Sequence, residues 1–567
     1  MTSPSFPEAQ VSTPPTPTSS LDAMVEKVAS AKQRWVQTAL PQRIELLRAC
    51  LSGIAQVAGD WVRDMCVVKG VSAEDNLAGE EWLVGPACTA RNIRLLIRAL
   101  EAGGQPKPTS VTTRPSGQVV ARVLPGEPSD RLLFTGFSAD IWIQPGKPAT
   151  QGRIYRESGA SKAGAVALIL GAGNVSSIPP MDLLYKLFVE NEVVILKMNP
   201  VNAVVGPHLS RAFKPLIDAG FLAIVYGGAE VGSHLAKHPR VDTLHVTGSD
   251  RTYDAIVWGA DPEGQKRRKA ENKPVNTKPF TAELGCVTPV MIVPGDWNEA
   301  DLDFQARQVA SMVTQNASFN CNAAKVLVTA RGWNLRDRFL ERVHRALSSA
   351  QARKAYYPGA EARYKGFIEK YPNAKVVGAS APGVVPWTVI PDVPAKQGEY
   401  ALTQEAFCGV LAEVSLDAST PDEFLAAAVR FANDDCWGTL SCMLIIDEAS
   451  QRKYATALDR AVEELRYGGI AINAFAGMLY ASCTATWGAF PGHPSTDIRS
   501  GTGVVHNTFL FDHPQKTVLR APFRIRPTPA WFFDHKNLRG LGQALLRQET
   551  DPGVGALLGL AVSGLKG

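Results

Sequence analysis

The chain has 567 residues, 45% of them hydrophobic and 20% charged, the make-up of a soluble globular protein with length for two or three domains and a sizeable core. Its 59 basic and 54 acidic residues leave a formal net charge of +5, which argues for no dedicated nucleic-acid surface, and no apolar run reaches the roughly 18 residues of a membrane-spanning helix. Nine cysteines, scattered and without CxxC or Cys/His spacing, argue against a disulfide framework and against a zinc or other metal site, and favour a reducing cytoplasm.

Residues 1–21 are rich in Ser, Thr and Pro and lack both a basic and an apolar leader region, so they predict a disordered tail and not a secretion signal. From Asp22 to Lys69 apolar residues recur at three- and four-residue spacing, with a break at Pro41, which predicts two or three amphipathic helices. A further helix is expected from Ala87 to Leu100, stopped by Gly103-Gly104. Between Gln118 and Ile154 the segments VVARVL, RLLFTGF and ADIWIQPG are short, apolar or alternating, and divided by Pro and Gly, as antiparallel strands are.

The next stretch changes character. A continuous apolar strand, Ala165 to Leu170, runs into a Gly-Ala-Gly-Asn turn, a helix and a second apolar strand, Glu192 to Lys197, which is a βαβ unit of a parallel sheet. A second unit follows, with strand FLAIVYGG and then HPRVDTLHVTGSD opening a helix, and the two make a nucleotide-binding half. GAGNVSS lacks the third glycine of the dinucleotide fingerprint, Ser176 standing there, and reads equally as a tight turn. Val246-Thr247-Gly248-Ser249, at a strand end and helix start, can offer free amides to a pyrophosphate or simply be an N-cap by Ser249 or Asp250.

Two residues stand out beyond this half. Glu283 lies on a strand-like run closed by Gly285, and Cys321, 38 positions on, follows a polar Asn-rich turn before the apolar run from Val326 to Val328. A thiolate attacks a carbonyl carbon well, and a carboxylate can activate the water that later frees the acyl group. The residues alone leave open a plain alternative, in which Cys321 is one of several buried cysteines and Glu283 a surface or capping carboxylate.

An ordered series of motifs runs through the chain: Asn174 in the post-strand turn, Lys197 ending the next strand, Val246-Thr247-Gly248-Ser249, Glu283-Leu284-Gly285 with Pro289, Asn316 and Cys321 with Ala323, Glu405-Ala-Phe407, Phe431-Ala-Asn433 through Gly438, and Gly469 to Asn473. By this series the chain resembles the aldehyde dehydrogenase superfamily over roughly residues 25 to 495. The resemblance implies an α/β fold with a Rossmann-type dinucleotide-binding domain (residues 22–117 and 161–283), an α/β catalytic domain (284–495) and a β-rich oligomerisation arm (118–160 and 496–525), followed by a C-terminal extension (526–567). It implies NAD(P)-dependent oxidation of an aldehyde to a carboxylic acid, with NAD or NADP as cofactor, an aldehyde as substrate, and a homodimer or homotetramer. Cys321 would be the nucleophile, Asn174 with the Cys321 amide the holder of the oxyanion, and Glu283 the base of deacylation. Lys197, Glu405 and Phe407 would contact the ribose and nicotinamide ends of the cofactor, Ser249 its pyrophosphate, with Gly248 and Leu284 beside it.

The departures from the pattern are specific. Tyr253 replaces a glycine after the motif at Val246, Pro200 stands where many NAD-preferring relatives carry a ribose-binding glutamate, which leaves NADP open, and Ser318-Phe319 replaces a Gly-Gln pair before the nucleophile. Cys286 and Cys408-Gly409 are further replacements, and a charged insertion at residues 259–279 carries the run Lys266 to Lys269, a solvated loop or a contact for a phosphate or CoA. Trp487, Phe490, Trp531 and Phe532 hint at an aromatic mouth for a medium or bulky apolar aldehyde, and His493 at a base, although a turn histidine is more often structural. The retained Glu283 argues against an acyl-CoA-forming or acyl-CoA-reducing relative, while the departures keep a non-catalytic structural paralogue as an alternative.

Overall fold

The computed structural model describes residues 13–127, 130, 131, 134–156 and 164–567. Strands β1 (Ser110–Thr113), β2 (Val119–Leu124) and β3 (Ser138–Ile143) form an antiparallel meander. Strands β4 (Val166–Leu170), β5 (Val193–Lys197), β6 (Leu222–Val225), β7 (Thr243–Gly248) and β8 (Phe280–Leu284) form a parallel sheet of order β6-β5-β4-β7-β8. Val166 to Leu170 and Val193 to Lys197 are buried at every position, because helices cover both faces of such a sheet and no strand face meets water.

The remaining strands are β9 (Pro289–Ile292), β10 (Val326–Ala330), β11 (Lys375–Val376), β12 (Thr388–Ile390), β13 (Val410–Leu416), β14 (Ser441–Ile445), β15 (Gly469–Ile472), β16 (Trp487–Gly488), β17 (Val504–His506) and β18 (Pro514–Arg520). All but β16 and β17 join the meander in one eleven-stranded sheet, β1-β2-β3-β18-β15-β14-β9-β10-β13-β12-β11. The chain passes from β8 in one sheet to β9 in the other through residues 285–288 alone, so the two sheets meet at that crossing.

Several expectations are corrected. Residues 1–12 of the expected tail lie outside the described residues, but Thr18 already opens the helix Thr18–Gln37, in which Leu21 is buried. RLLFTGF is no strand: Asp130 and Arg131 are helical and residues 134–136 form a turn, Leu132 and Leu133 lying outside the described residues together with residues 157–163. Asp130 Oδ2 accepts the Gly126 and Glu127 amides, and such local side-chain bonds compete with strand pairing. Near the other end, Val504, Val505, Phe509 and Phe511 suit a strand pairing with the 118–154 strands; Val504 and His506 pair instead with β16, and Phe511 makes a single antiparallel bridge to Gln151. Asn507 Nδ2 donates to the Phe511 carbonyl and Thr508 Oγ1 to that of Cys483, ending the strand at His506, and the partner of β3 is β18.

The charged insertion and the C-terminal extension are both built into the fold. The insertion contains the helix Pro262–Glu271, where Lys266 pairs with Glu263, Lys269 with Asp254, and Arg268 donates to the Trp258 carbonyl. The helix Leu538–Thr550 is fastened to the helix Cys88–Glu101 by buried ions: Arg91 donates to Glu549 Oε1 (2.9 Å), Asp130 Oδ1 (2.8 Å) and the Ser482 carbonyl (2.7 Å). Removing one member of such a buried set strands the others without their countercharge. Arg91→Ala is expected to destabilise the protein by about 3–5 kcal/mol, read as the shift of the denaturant midpoint at unchanged slope.

Candidate active site

Register brings Glu283 and Cys321 together. Strands β9 and β10 are adjacent and parallel with Pro289 opposite Val326, so the segments leading into them start from the same end of the sheet. Glu283 lies six residues before Pro289 and Cys321 five before Val326. The Glu283 carboxyl and the Cys321 thiol are near enough for each to shift the other's ionisation, and Trp487 Nε1 donates to Glu283 Oε1 at 3.1 Å. Of the nine cysteines, eight are buried and Cys321 alone is partly exposed.

Electrostatics keeps this pair uncharged. Burial pushes the Glu283 carboxyl up to about 8; the neighbouring charges of Asp182 and Glu405 add to the shift, and the Cys321 thiol and the Trp487 indole oppose it. Burial, and then the negative charge of Glu283, raise the Cys321 thiol well above its ordinary value, against the pull of Lys325. At neutral pH the site therefore holds a carboxylic acid beside a thiol.

The loop that carries the thiol is strained and held from several sides. Asn316, Ala317 and Ser318 all have positive φ, at 53°, 57° and 68°, a conformation that costs an L-residue roughly 1–2 kcal/mol. Asn316 Nδ2 donates to the carbonyls of Asn174 (3.1 Å) and Phe319 (3.2 Å), and its Oδ1 accepts from Tyr356 (3.1 Å). The buried Lys325 Nζ donates to the carbonyls of Asn320 (3.1 Å), Cys321 (3.0 Å) and Ala323 (3.3 Å), and stands 3.2 Å from Glu405 Oε1. Phe319 is fully buried, with its ring 5.0 Å from Tyr356 and 5.8 Å from both Tyr357 and Phe407. Its bulk is thus taken up in an aromatic cluster.

The other expected residues fall into two groups. Asn174, in the turn after β4, is 6% exposed and its Nδ2 donates at 2.9 Å to the carbonyl of Phe319, two residues before Cys321. Its amide therefore reaches the nucleophile loop but is turned onto backbone. Glu405 is spent in the same way: besides Lys325 it accepts the Cys286 amide at 3.3 Å, and it lies so close over Gly285 that a Cβ there would overlap its carboxylate. Phe407 is half-buried with φ +46° and packs on Tyr357.

The second group lines the carboxyl ends of the parallel sheet. The strand order reverses between β4 and β7, and crevices at such a switch point are where open α/β sheets take ligands. Asn174 follows β4, Lys197 ends β5, and Gly248 and Ser249 are exposed at the end of β7, where Ser249 caps the helix Asp250–Trp258 by accepting the Thr252 amide. Lys197 is 9% exposed, makes no ion pair among the described residues, and is brought down by burial to about 8. An unpaired, desolvated ammonium at this place is an open position for oxygen ligands. Leu284 is fully buried and its amide donates to the Ser500 carbonyl. Tyr253 packs against Phe280 with ring centres 4.8 Å apart.

Other expectations change. Trp531 and Phe532 are buried, in ring contact with Phe137 and Phe304, so they form no mouth. His493 Nε2 lies 2.8 Å from Thr439 Oγ1 in a cavity of about 580 Å³ that Glu283 and Cys321 do not line. Among the described residues no group of three or more His, Cys, Asp or Glu is placed to hold a metal ion, and no helix is long and apolar enough to cross a membrane. Sequence reasoning passed over Lys325 and the role of Trp487. A lone lysine four residues after the thiol and next to an apolar strand was the available signal for the first.

Comparison with known proteins agrees with this architecture. The profile of the aldehyde dehydrogenase family matches residues 164–361. A 4-trimethylaminobutyraldehyde dehydrogenase of Oryzias latipes is 29% identical over 153 residues, 26% of this chain and 26% of that protein, so the match spans about a quarter of its length. An NADP-dependent glyceraldehyde-3-phosphate dehydrogenase of Scenedesmus vacuolatus is 27% identical over 178 residues, covering 30% of this chain and 67% of the relative. Among solved structures, an indole-3-acetaldehyde dehydrogenase with NAD+ superposes with a TM-score of 0.60 at 18% identity over 88% of each chain. An NADP-dependent glyceraldehyde-3-phosphate dehydrogenase of Bacillus halodurans C-125 superposes with a TM-score of 0.60 at 14% identity, over 90% of this chain and 94% of that one. The profile match runs from β4 past β10 and the likeness of fold extends over about nine-tenths of the length, so the chain is similar to aldehyde dehydrogenases.

Proposed function

We propose that the protein oxidises an aldehyde to a carboxylic acid with NAD or NADP, through a thioester on Cys321. The observation that carries this reading is the neighbouring pair of Cys321, the one partly exposed cysteine, and Glu283, a buried carboxyl pushed up to about 8. The residues at the sheet ends fit a dinucleotide. Lys197 offers an unpaired ammonium, and the exposed turn Gly248-Ser249 opens a nine-residue helix whose first amides and dipole favour a pyrophosphate. When bound, the nicotinamide supplies the two-electron acceptor.

The chain's own groups account for the rest. The Cys321 thiol gives its proton to the Glu283 carboxylate and the sulfur bonds to the aldehyde carbon. The resulting oxyanion needs donors, for which the Cys321 amide and Asn174 Nδ2 are the candidates. Asn174 must then give up its 2.9 Å bond to the Phe319 carbonyl. After oxidation of the thiohemiacetal to a thioester, Glu283 releases the thiol proton to solvent and, again a carboxylate, takes a proton from water; hydroxide adds to the acyl carbon, and the sulfur leaves as thiolate. No CoA is required, because Glu283 activates water.

We place the protein in the cytoplasm as a homodimer or homotetramer. Nine cysteines without a disulfide support the first part: even Cys88 and Cys483, with sulfurs 3.6 Å apart, are unlinked. For the second, β1 ends the eleven-stranded sheet with all four residues exposed, an open edge of the kind that a neighbouring subunit can cover.

Two results are expected. Cys321→Ala abolishes aldehyde-dependent reduction of NAD or NADP, measured without CoA and with acid as product; unchanged turnover in this variant rejects the mechanism. Iodoacetamide applied to the folded protein labels Cys321 first among the nine cysteines, more slowly than an unhindered thiol at neutral pH because the raised thiol is largely protonated. As a third check, the rate of acid formation rises with pH to a plateau with a midpoint near 8, since Glu283 is protonated and inactive as a base below it. Glu283→Gln removes that limb and lowers the plateau on the order of 10²-fold or more.

A further inference from the structure

A second buried carboxylate lies beneath Glu283. The helix Ile178–Phe188 is apolar around Asp182, whose side chain is fully buried. His506 Nε2 stands 2.8 Å from Asp182 Oδ1, Thr247 Oγ1 donates to Oδ2 at 3.0 Å, and His245 Nε2 is 3.4 Å from the same oxygen. Burial alone would raise this carboxyl, but His245 and His506 outweigh it and hold Asp182 well below the usual carboxylate range. His506 Nδ1 is buried without a hydrogen-bond partner among the described residues, and His245 Nδ1 is 2.9 Å from Thr281 Oγ1.

Each contact of Asp182 belongs to a flank of Glu283. Thr247 is directly opposite Glu283 in the pairing of β7 with β8. His506 is directly opposite Trp487 in the pairing of β16 with β17, and Trp487 is the indole that donates to Glu283. Tyr480 closes the group, 5.8 Å from Trp487 and 5.6 Å from His506, with its hydroxyl 2.8 Å from Ser177 Oγ. The titratable and charged groups around Glu283 are accordingly the Cys321 thiol, Asp182 with His245 and His506, and Glu405 with its partner Lys325.

We propose that Asp182 is a positioning residue: through Thr247, His506 and Trp487 it fixes the Glu283 side chain beside the Cys321 thiol. The inference rests on the reading of Glu283 as the base of the aldehyde-oxidising reaction. Removing the charge while keeping the shape lets Glu283 ionise earlier.

The test is Asp182→Asn in the full chain, with two readouts. Infrared difference spectra as a function of pH give the midpoint at which the protonated Glu283 band disappears, the band being assigned by its loss in Glu283→Gln; the pH profile of acid formation gives the midpoint of the alkaline rise. Both are expected to move down by about one pH unit, as like-charge removal does for neighbouring carboxyls. A folded Asp182→Asn protein with both midpoints unchanged, whatever its turnover, overturns the proposal and leaves Asp182 a structural residue. If the amide variant does not fold, Asp182→Ser, which deletes the same charge, is measured in its place with the same two criteria. Failure of the functional reading is a separate outcome: the unmodified protein then shows no aldehyde-dependent reduction of NAD or NADP, even where the infrared midpoint shifts, and the proposal falls with it.

Discussion

The site depends on one constraint, the four-residue crossing from β8 to β9 that joins two differently ordered sheets. Because the crossing is so short, Glu283 at the end of the parallel nucleotide-type sheet is carried to the mouth of the larger sheet, where the register of β9 on β10 delivers Cys321. Gly285 has no side chain to spare there, since the Glu405 carboxylate occupies the space of its Cβ. Burial of two acids at such a seam has an electrostatic result: neither ionises easily beside the other, and each is more stable uncharged. Holding a carboxyl neutral from its ordinary range up to about 8 corresponds to roughly 5 kcal/mol of preference for the acid form.

That preference must be paid for in structure, and the nucleophile loop shows where. Three consecutive left-handed residues, Asn316 to Ser318, are tolerated only because Asn316, Tyr356 and Lys325 saturate the local carbonyls. Lys325 has a double function in this arrangement. Its ammonium gathers three backbone carbonyls of the loop and pairs with Glu405, whose carboxyl burial raises against that attraction. The aromatic cluster of Phe319, Tyr356, Tyr357 and Phe407 fills the space beside the loop, so the replacement of a small pair by Ser318-Phe319 is matched by rings that receive it.

How much of this was legible follows from the range of each interaction. The strands Val166–Leu170 and Val193–Lys197 declared themselves as uninterrupted apolar runs because a parallel sheet covered on both faces needs nothing else. Glu283 and Cys321 were visible as a chemical pair, and their meeting followed from two strands being neighbours. RLLFTGF misled because its apolar residues were read by pattern, while Asp130 accepts nearby amides and turns the chain. The segment after Val504 misled for the opposite reason. Strand pairing is nonlocal, and nothing in Val504 to His506 says that Trp487 will lie opposite. Asp182 carried a faint signal, an acid inside an apolar helix, but its three partners lie on two strands, β7 and β17, 63 to 324 residues away, and only the folded chain assembles them.

Distance in sequence also explains why the Asp182 cluster suits its place. A group that must shift the ionisation of Glu283 without touching substrate has to sit behind it, out of water and fixed from several directions. Asp182 is clamped by β7, by β17 and by its own helix, and each of these contacts continues to a residue flanking Glu283. A surface carboxylate at the same distance would be screened and would follow the solvent; a buried one, held well below the usual range by His245 and His506, keeps its charge across the pH range in which Glu283 changes form. Two carboxyls in one interior therefore divide their roles by environment: Asp182, supplied with hydrogen-bond donors, stays charged, and Glu283, with an indole donor beside a thiol, is held in the acid form by its burial.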